Sequence, residues 1–301
     1  MPDSYVVRWL PRALRDGARL AREQRFDAIL STSPLDTCHL VAHGLRRRVD
    51  APWLVDFRDP WIGNPFAPPR PAWAERLNRA LERRVVPRAD LVTCVSDLHR
   101  SELCARYPGI TVELLPNGYD PGDLERIEPM PSPPGTVTLV HSGSFYGVRT
   151  PHLLLEALRL LGDDVRLLLL GGSTPDVEAM VEREGLAARV IATKPLPHRE
   201  ALAYCKGADV LVVVPGADGA LPGKLFEYAA MGRPILNVGP SSSATGKLIA
   251  EWGIGASAET PEEIAHAVRT LEPVQPPDLS AYDRRTLTGR LAGLLERMCA
   301  S

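Results

Sequence analysis

The sequence predicts an α/β protein made of two Rossmann-like, doubly wound units in tandem, the N-terminal one incomplete. Three observations lead there. Short apolar runs alternate with helical stretches along nearly all of the 301 residues. The runs are continuous and rich in leucine and β-branched residues, as strands of a parallel sheet covered on both faces require. A proline-rich stretch near the middle interrupts the alternation, which then restarts. A chain of this length is long for one domain and comfortable for two, each burying its own core.

Taken in order, the chain opens with one helical segment, PRALRDGARLAREQR, before its first strand. FDAILSTS, PWLVDF, ADLVTCVS and TVELLPNG then read as strands, separated by helical segments near 35–48, 72–88 and 97–106. About four strands is meagre for a doubly wound unit, and no strand followed by a glycine-rich loop precedes Phe26. These residues, 1–126, form the first domain, and RIEPMPSPPGT spans a linker at 127–135. TVTLVHSG, VRLLLLGG, RVIAT, DVLVVV and PILNV, each followed by a helix, build a second domain over 136–280. Residues 281–301 are a final amphipathic helix that returns toward the first domain. In such a pair of units, ligands bind in the cleft at the carboxyl ends of the strands.

The bulk numbers exclude several classes of function. With 35 basic and 37 acidic side chains the formal charge is −2, which argues against nucleic acid as a partner. The five cysteines are scattered and odd in number, without CxxC spacing, so neither a disulfide framework nor a zinc site is expected. No apolar run reaches the length of a membrane span, and MPDSYVVRWLPRAL lacks a signal-peptide core. A soluble, cytoplasmic protein is expected.

Only four lysines occur, at 194, 206, 224 and 247, which makes Lys224 conspicuous. It starts the helix of ALPGKLFEYAAMGRPIL, whose other residues are almost all apolar. The first N–H groups of a helix are unpaired and carry partial positive charge, and Pro222 at that end sacrifices no donor. Gly223 admits a close neighbour and Lys224 adds a full charge, an arrangement suited to a diphosphate. Glu227, one turn on, can accept two hydrogen bonds from a vicinal diol. The helix alone equally fits a surface lysine and a glutamate paired with an arginine. The loop HSGSFYGVRTP supplies a second anion element, with turns at Gly143 and Gly147 and a forked donor in Arg149. An ordinary loop with a solvated arginine fits it as well.

In PWLVDFRDPW the strand ends at Phe57 and delivers Asp56, Arg58 and Asp59 to the cleft, or locks its loop with an Arg–Asp pair. Asp56 and Asp59 do not form a D-x-D pair, which disfavours a metal. His39 and His43 have zinc-ligand spacing but no third ligand nearby. PAWAERLNRALERRVVPR sets Trp73, Leu77 and Leu81 against arginines; it reads as a domain helix with a basic face or as one resting on an anionic bilayer.

The pieces FDAILSTSPLDTCHLVAHGLRRR, PWLVDFRDPW, LVTCVSDLHRSEL, LLPNGYD, HSGSFYGVRTPHLLLEAL and LPGKLFEYAAMGRPIL occur in the order found in glycosyltransferase family 4. On them the chain resembles the GT-B glycosyltransferases over essentially its whole length. The resemblance implies transfer of a sugar from a nucleotide-diphospho-sugar to an unidentified acceptor on the side of the first domain, in glycan or glycoconjugate synthesis. It implies retention of configuration, with no metal and no cofactor beyond the co-substrate. Glu227 matches the second acid of the family's E-x7-E motif, which holds the donor ribose. Arg149 and Lys224 match the basic pair that grips the diphosphate, helped by amides around Gly143, Ser144 and Gly223. Lys194, Pro195 and Leu196 match the loop where the base docks, and Asp59 and Arg58 the catalytic or acceptor-orienting strand end.

Two departures are visible. The motif's first acid, which touches the sugar, falls at Gly219, with Asp218 one place off. Family members also begin with a strand, a glycine-rich loop and further elements, so the resemblance implies an N-terminal truncation. The alternatives are a non-catalytic nucleotide-binding remnant, a protein whose partner chain completes the first domain, and a nucleotide-sugar 2-epimerase. Some family members meet membranes, which adds weak association with the inner membrane face to the expected partners.

Overall fold

The structure, a computed structural model, describes residues 8–300. The first seven residues, part of the stretch read as lacking a signal-peptide core, lie outside them. The chain divides into two compact units, Met1–Pro116 with Leu287–Ser301, and Asn117–Thr286.

The first unit runs α1 (Leu10–Glu23), β1 (Ile29–Thr32), α2 (Thr37–Leu45), β2 (Trp53–Phe57), α3 (Ala72–Val85), β3 (Leu91–Cys94), α4 (Asp97–Arg106) and β4 (Val112–Leu114). Its sheet is parallel throughout, in the order β1-β2-β3-β4. β2 and β3 are buried along their whole length, which explains their uninterrupted apolar runs. Trp53, Phe57, Trp61 and Leu103 fill the core, and each such side chain removed from water contributes roughly 2 kcal/mol. Ser96 caps α4 by accepting from the His99 N–H. α1 and α2 exchange glycines. A methyl group at Gly17 would lie 2.6 Å from Leu45 Cδ1, and one at Gly44 would lie 2.6 Å from Leu14 Cδ2. On α3, Trp73 and Leu77 stand 64% and 38% exposed.

The second unit runs α5 (Pro121–Leu124), β5 (Val137–Ser142), α6 (His152–Leu160), β6 (Val165–Leu170), α7 (Pro175–Arg183), β7 (Val190–Ala192), α8 (His198–Gly207), β8 (Val210–Val213), α9 (Lys224–Ala229), β9 (Ile235–Val238), α10 (Ala244–Trp252), β10 (Gly255–Ala258) and α11 (Pro261–Thr270). Its six strands are all parallel, in the order β10-β9-β8-β5-β6-β7. That is the 3-2-1-4-5-6 order of a doubly wound nucleotide-binding sheet. Thr260 and Glu263 close a capping box at the start of α11. β10 is a strand that sequence reasoning did not anticipate: GASA has neither branched nor aromatic side chains, and it pairs on the sheet edge with β9 alone.

The stretch read as a linker runs along α8. There Met130 N–H donates to Ala203 O and Ser132 Oγ to Gly207 O, while Lys206 Nζ reaches the carbonyls of Leu124 and Ile127. The last helix, α12 (Arg284–Ala300), holds the first unit through Arg290 Nη2 on Leu114 O and Cys299 Sγ on Asp27 O. Among the described residues no helix is long and apolar enough to cross a membrane.

Candidate functional site

In a doubly wound sheet a ligand settles outside the carboxyl ends of the strands, where the strand order reverses. In the second unit that point lies between β5 and β8. The two strands pair only through Leu139↔Val210 and Val140↔Leu211 and then part. The loops leaving them, 143–151 and 214–223, are sewn together by Arg149. Its Nε donates to Pro215 O at 3.0 Å, while Nη1 donates to Tyr146 Oη and the guanidinium lies 5.0 Å over the Tyr146 ring. Gly216, at φ 74°, leaves the space that Arg149 occupies.

Lys224 is the first residue of α9 and Gly223 its N-cap, so Pro222 lies before the helix and not in its first turn; Pro222 O accepts from Leu225 N–H. Lys224 Nζ donates to Ser142 O at 2.5 Å and lies 3.3 Å from His141 Nε2. It is no surface lysine. Burial first, then the neighbouring Arg149 charge, push its pKa down from 10.5 to about 7. Gly143 passes directly over the ammonium, where a Cβ would stand 2.9 Å from Nζ, in a backbone conformation (φ 125°) that favours glycine. The Gly143 N–H is spent on Leu170 O, so this glycine contributes space rather than a donor. Ser144 is exposed beside it, its Oγ on Gly171 O.

Glu227 pairs with a histidine and not an arginine: Oε1 stands 3.3 Å from His198 Nε2 at the start of α8. Lys194 and Pro195 are exposed and Leu196 half-buried on the loop after β7. Gly171 lies against the Pro195 backbone, which brings this loop beside Gly143. Asp218 is exposed on the loop after β8. That loop hangs on four carbonyls, with Pro215 O taken by Arg149, Asp218 O by Ala244 N, Ala220 O by Thr245 Oγ1 and Leu221 O by Asn117 Nδ2. The sheet thus carries Gly143, Ser144, Arg149, Lys194–Leu196, Asp218, Gly223, Lys224 and Glu227 on the loops and the helix that follow the carboxyl ends of β5, β7 and β8.

Asp59 and Arg58 lie in the first unit. Arg58 Nε stands 3.3 Å from Asp56 Oδ2 and Nη2 donates to Leu115 O, so its guanidinium locks the end of β2 to the end of β4. Asp56 itself accepts from Thr32 Oγ1 at 2.8 Å and Thr93 Oγ1 at 2.7 Å. The Ser33 hydroxyl receives the N–H groups of Arg58 and Asp59 and fixes the loop that carries Asp59. His39 is fully buried with Nδ1 on Ser31 Oγ, and burial takes its pKa down to about 4.

Three contributors escaped the sequence reading. His141 contacts Lys224, His198 contacts Glu227, and the buried Tyr228 hydroxyl accepts the Ser142 N–H at 2.8 Å. For His141 a signal existed, a lone imidazole closing the apolar run TVTLV.

Residues 2–118 match the glycosyl transferase 4-like domain and residues 136–272 the glycosyl transferases group 1 domain. No curated protein matches the chain. Among solved structures it is similar to a sucrose-phosphate synthase from Thermosynechococcus elongatus (17% identity, TM-score 0.78, covering 97% of this chain and 78% of that one). Anabaena Alr3699/HepE, solved in complex with UDP and glucose, is similar at 16% identity and TM-score 0.69, over 94% and 81% of the chains. A glycosyltransferase from Rickettsia africae is similar at 11% identity and TM-score 0.72, over 98% and 83%. With its two matched domains in this order and this fold, the chain belongs to the GT-B glycosyltransferases.

Proposed function

We propose that the protein transfers a sugar from a nucleotide-diphospho-sugar to an acceptor with retention of configuration. The carrying observation is the convergence of Lys224, Arg149 and Gly143 at the split between β5 and β8. Two cations and a glycine that lets the backbone pass closely suit a diphosphate. Positive charge placed where the leaving diphosphate gathers negative charge lowers the barrier to departure without calling on a metal. Glu227, one turn along α9, takes the ribose diol, and the Lys194–Leu196 loop seats the base. Asp218 and its loop face the sugar. The complexes of Alr3699/HepE with UDP and with UDP-glucose support a uridine donor as the first to try.

Arg58 braces the loop that bears Asp59, and Asp59 is the candidate on that loop to act on the acceptor. Calorimetric titration with UDP, GDP and their sugars, followed by assays for donor hydrolysis and transfer, tests the proposal. Micromolar to millimolar binding together with turnover is the expected result. No binding at millimolar nucleotide would sink the donor site. Binding without turnover, with or without added acceptors, would favour a nucleotide-binding remnant.

A further inference from the structure

Where β5 and β8 part, the backbone ladder between them ends at Val140↔Leu211. The next carbonyl on β8, Val212 O, is taken by a side chain from β5, His141 Nδ1 at 3.0 Å. A carbonyl only accepts, so Nδ1 carries the proton and Nε2 the lone pair. That lone pair faces Lys224 Nζ at 3.3 Å. The imidazole is 1% exposed and stacks on Phe145, in the loop after β5, with ring centres 4.7 Å apart and planes 15° apart. Both its nitrogens and one face are therefore committed.

We propose that His141 is a positioning residue for the diphosphate grip: its Nε2 and Ser142 O take two N–H bonds of the Lys224 ammonium and leave the third for a phosphate oxygen. The inference rests on the reading of Lys224 as a diphosphate-binding group. A lysine carries its charge on a long flexible stem, and fixing the head before the ligand arrives removes an ordering cost from binding. Four other groups bear on the same ammonium: Arg149 from the loop after β5, Cys205 from α8, Glu227 one turn along α9, and the Ser142 carbonyl. Beside these four, His141 is the neutral imidazole acceptor that touches Nζ. Burial, with the Lys224 charge beside it, holds its pKa well below the ordinary histidine range, so it is no second cation competing with Lys224.

A histidine that merely fills the core would weaken all ligands alike when replaced; a positioning residue acts on the phosphates. The test is calorimetry with UDP against uridine, and GDP against guanosine, on the wild type, His141→Phe, His141→Gln, Lys224→Ala and the double variant His141→Phe/Lys224→Ala. Phenylalanine keeps the ring and the stack but not the nitrogens. It is expected to weaken the nucleoside diphosphate about fivefold and leave the nucleoside unchanged. Glutamine, which restores a donor and an acceptor, is expected to return affinity to within about twofold of the wild type. In the Lys224→Ala background His141→Phe should cost nothing more. Equal losses for nucleotide and nucleoside, or an undiminished loss in that background, overturn the assignment and leave the donor site standing. A wild type that binds neither nucleotide overturns both. The wild type also gives a direct reading through nitrogen-15 spectra of its histidines. A neutral His141 protonated on Nδ1 from pH 6 to 8 is expected; protonation on Nε2, or titration within that range, overturns the assignment even if the variants do not fold.

Discussion

The two units present polar residues at the carboxyl ends of parallel strands in opposite ways. In the first unit Asp56, Thr32, Thr93, Arg58 and Ser33 satisfy one another and the loop backbone. Among the described residues its sheet runs in chain order from edge to edge, with no reversal of strand order. In the second unit the order reverses at β5 and β8, and the polar groups there are held by carbonyls and single neighbours. Where the winding reverses, neighbouring strands part and the charged groups are held at single points; where it does not, the same residue types brace one another.

The largest effect expected from breaking this contrast is on the brace. Asp56→Ala strips partners from two hydroxyls and from Arg58 and should cost the first unit about 3 kcal/mol. Denaturant unfolding measures it, while nucleotide affinity per folded molecule stays constant. In the second unit Gly143→Ala forces a Cβ against Lys224 Nζ at a φ of 125°. Strain of about 2 kcal/mol is expected, with weakened nucleotide binding in calorimetry. Glu227→Ala leaves the fold intact, as its one named partner is the exposed His198. It should weaken nucleotide binding by more than ~1 kcal/mol through lost charge-assisted bonds to the ribose; unchanged affinity in a stably folded variant would remove Glu227 from the site.

A pH dependence set by Lys224 is expected as well. Its folded pKa, about 7, lies below the ordinary 10.5, so the folded protein holds fewer protons between those values than the unfolded chain. Stability should therefore rise as pH rises through that window, and Lys224→Met should flatten the rise. Affinity runs the other way. Nucleotide-sugar diphosphates are ionised throughout, and they should bind less tightly from pH 7 to 9 as the ammonium loses its proton. A dependence that survives in Lys224→Met would assign it to another group.

Much of this architecture was legible in the sequence, because parallel strands buried on both faces spell continuous apolar runs. Leu54, Val55, Val92, Leu211 and Val212 are such residues. β10 was illegible for the converse reason, since an edge strand of glycine, alanine and serine carries no apolar signature. Lys224 and Glu227 stood out as charges on an apolar helix. The carbonyls that hold Lys224, Arg149 and His141 did not, since Ser142 O, Pro215 O and Val212 O are main-chain atoms that no residue type announces. The Arg58–Asp56 contact was one of two arrangements that PWLVDFRDPW allowed, and only geometry chose it.

The loop after β8 hangs from the carbonyls of Pro215, Asp218, Ala220 and Leu221. A carbonyl is the same whatever side chain accompanies it. Exchanges at Ala217, Asp218 and Gly219 therefore leave the suspension points in place, and the Lys224 and Glu227 contacts with them. The scaffold thus separates the path of this loop, written in the main chain, from the side chains it carries, which can change one at a time without moving it.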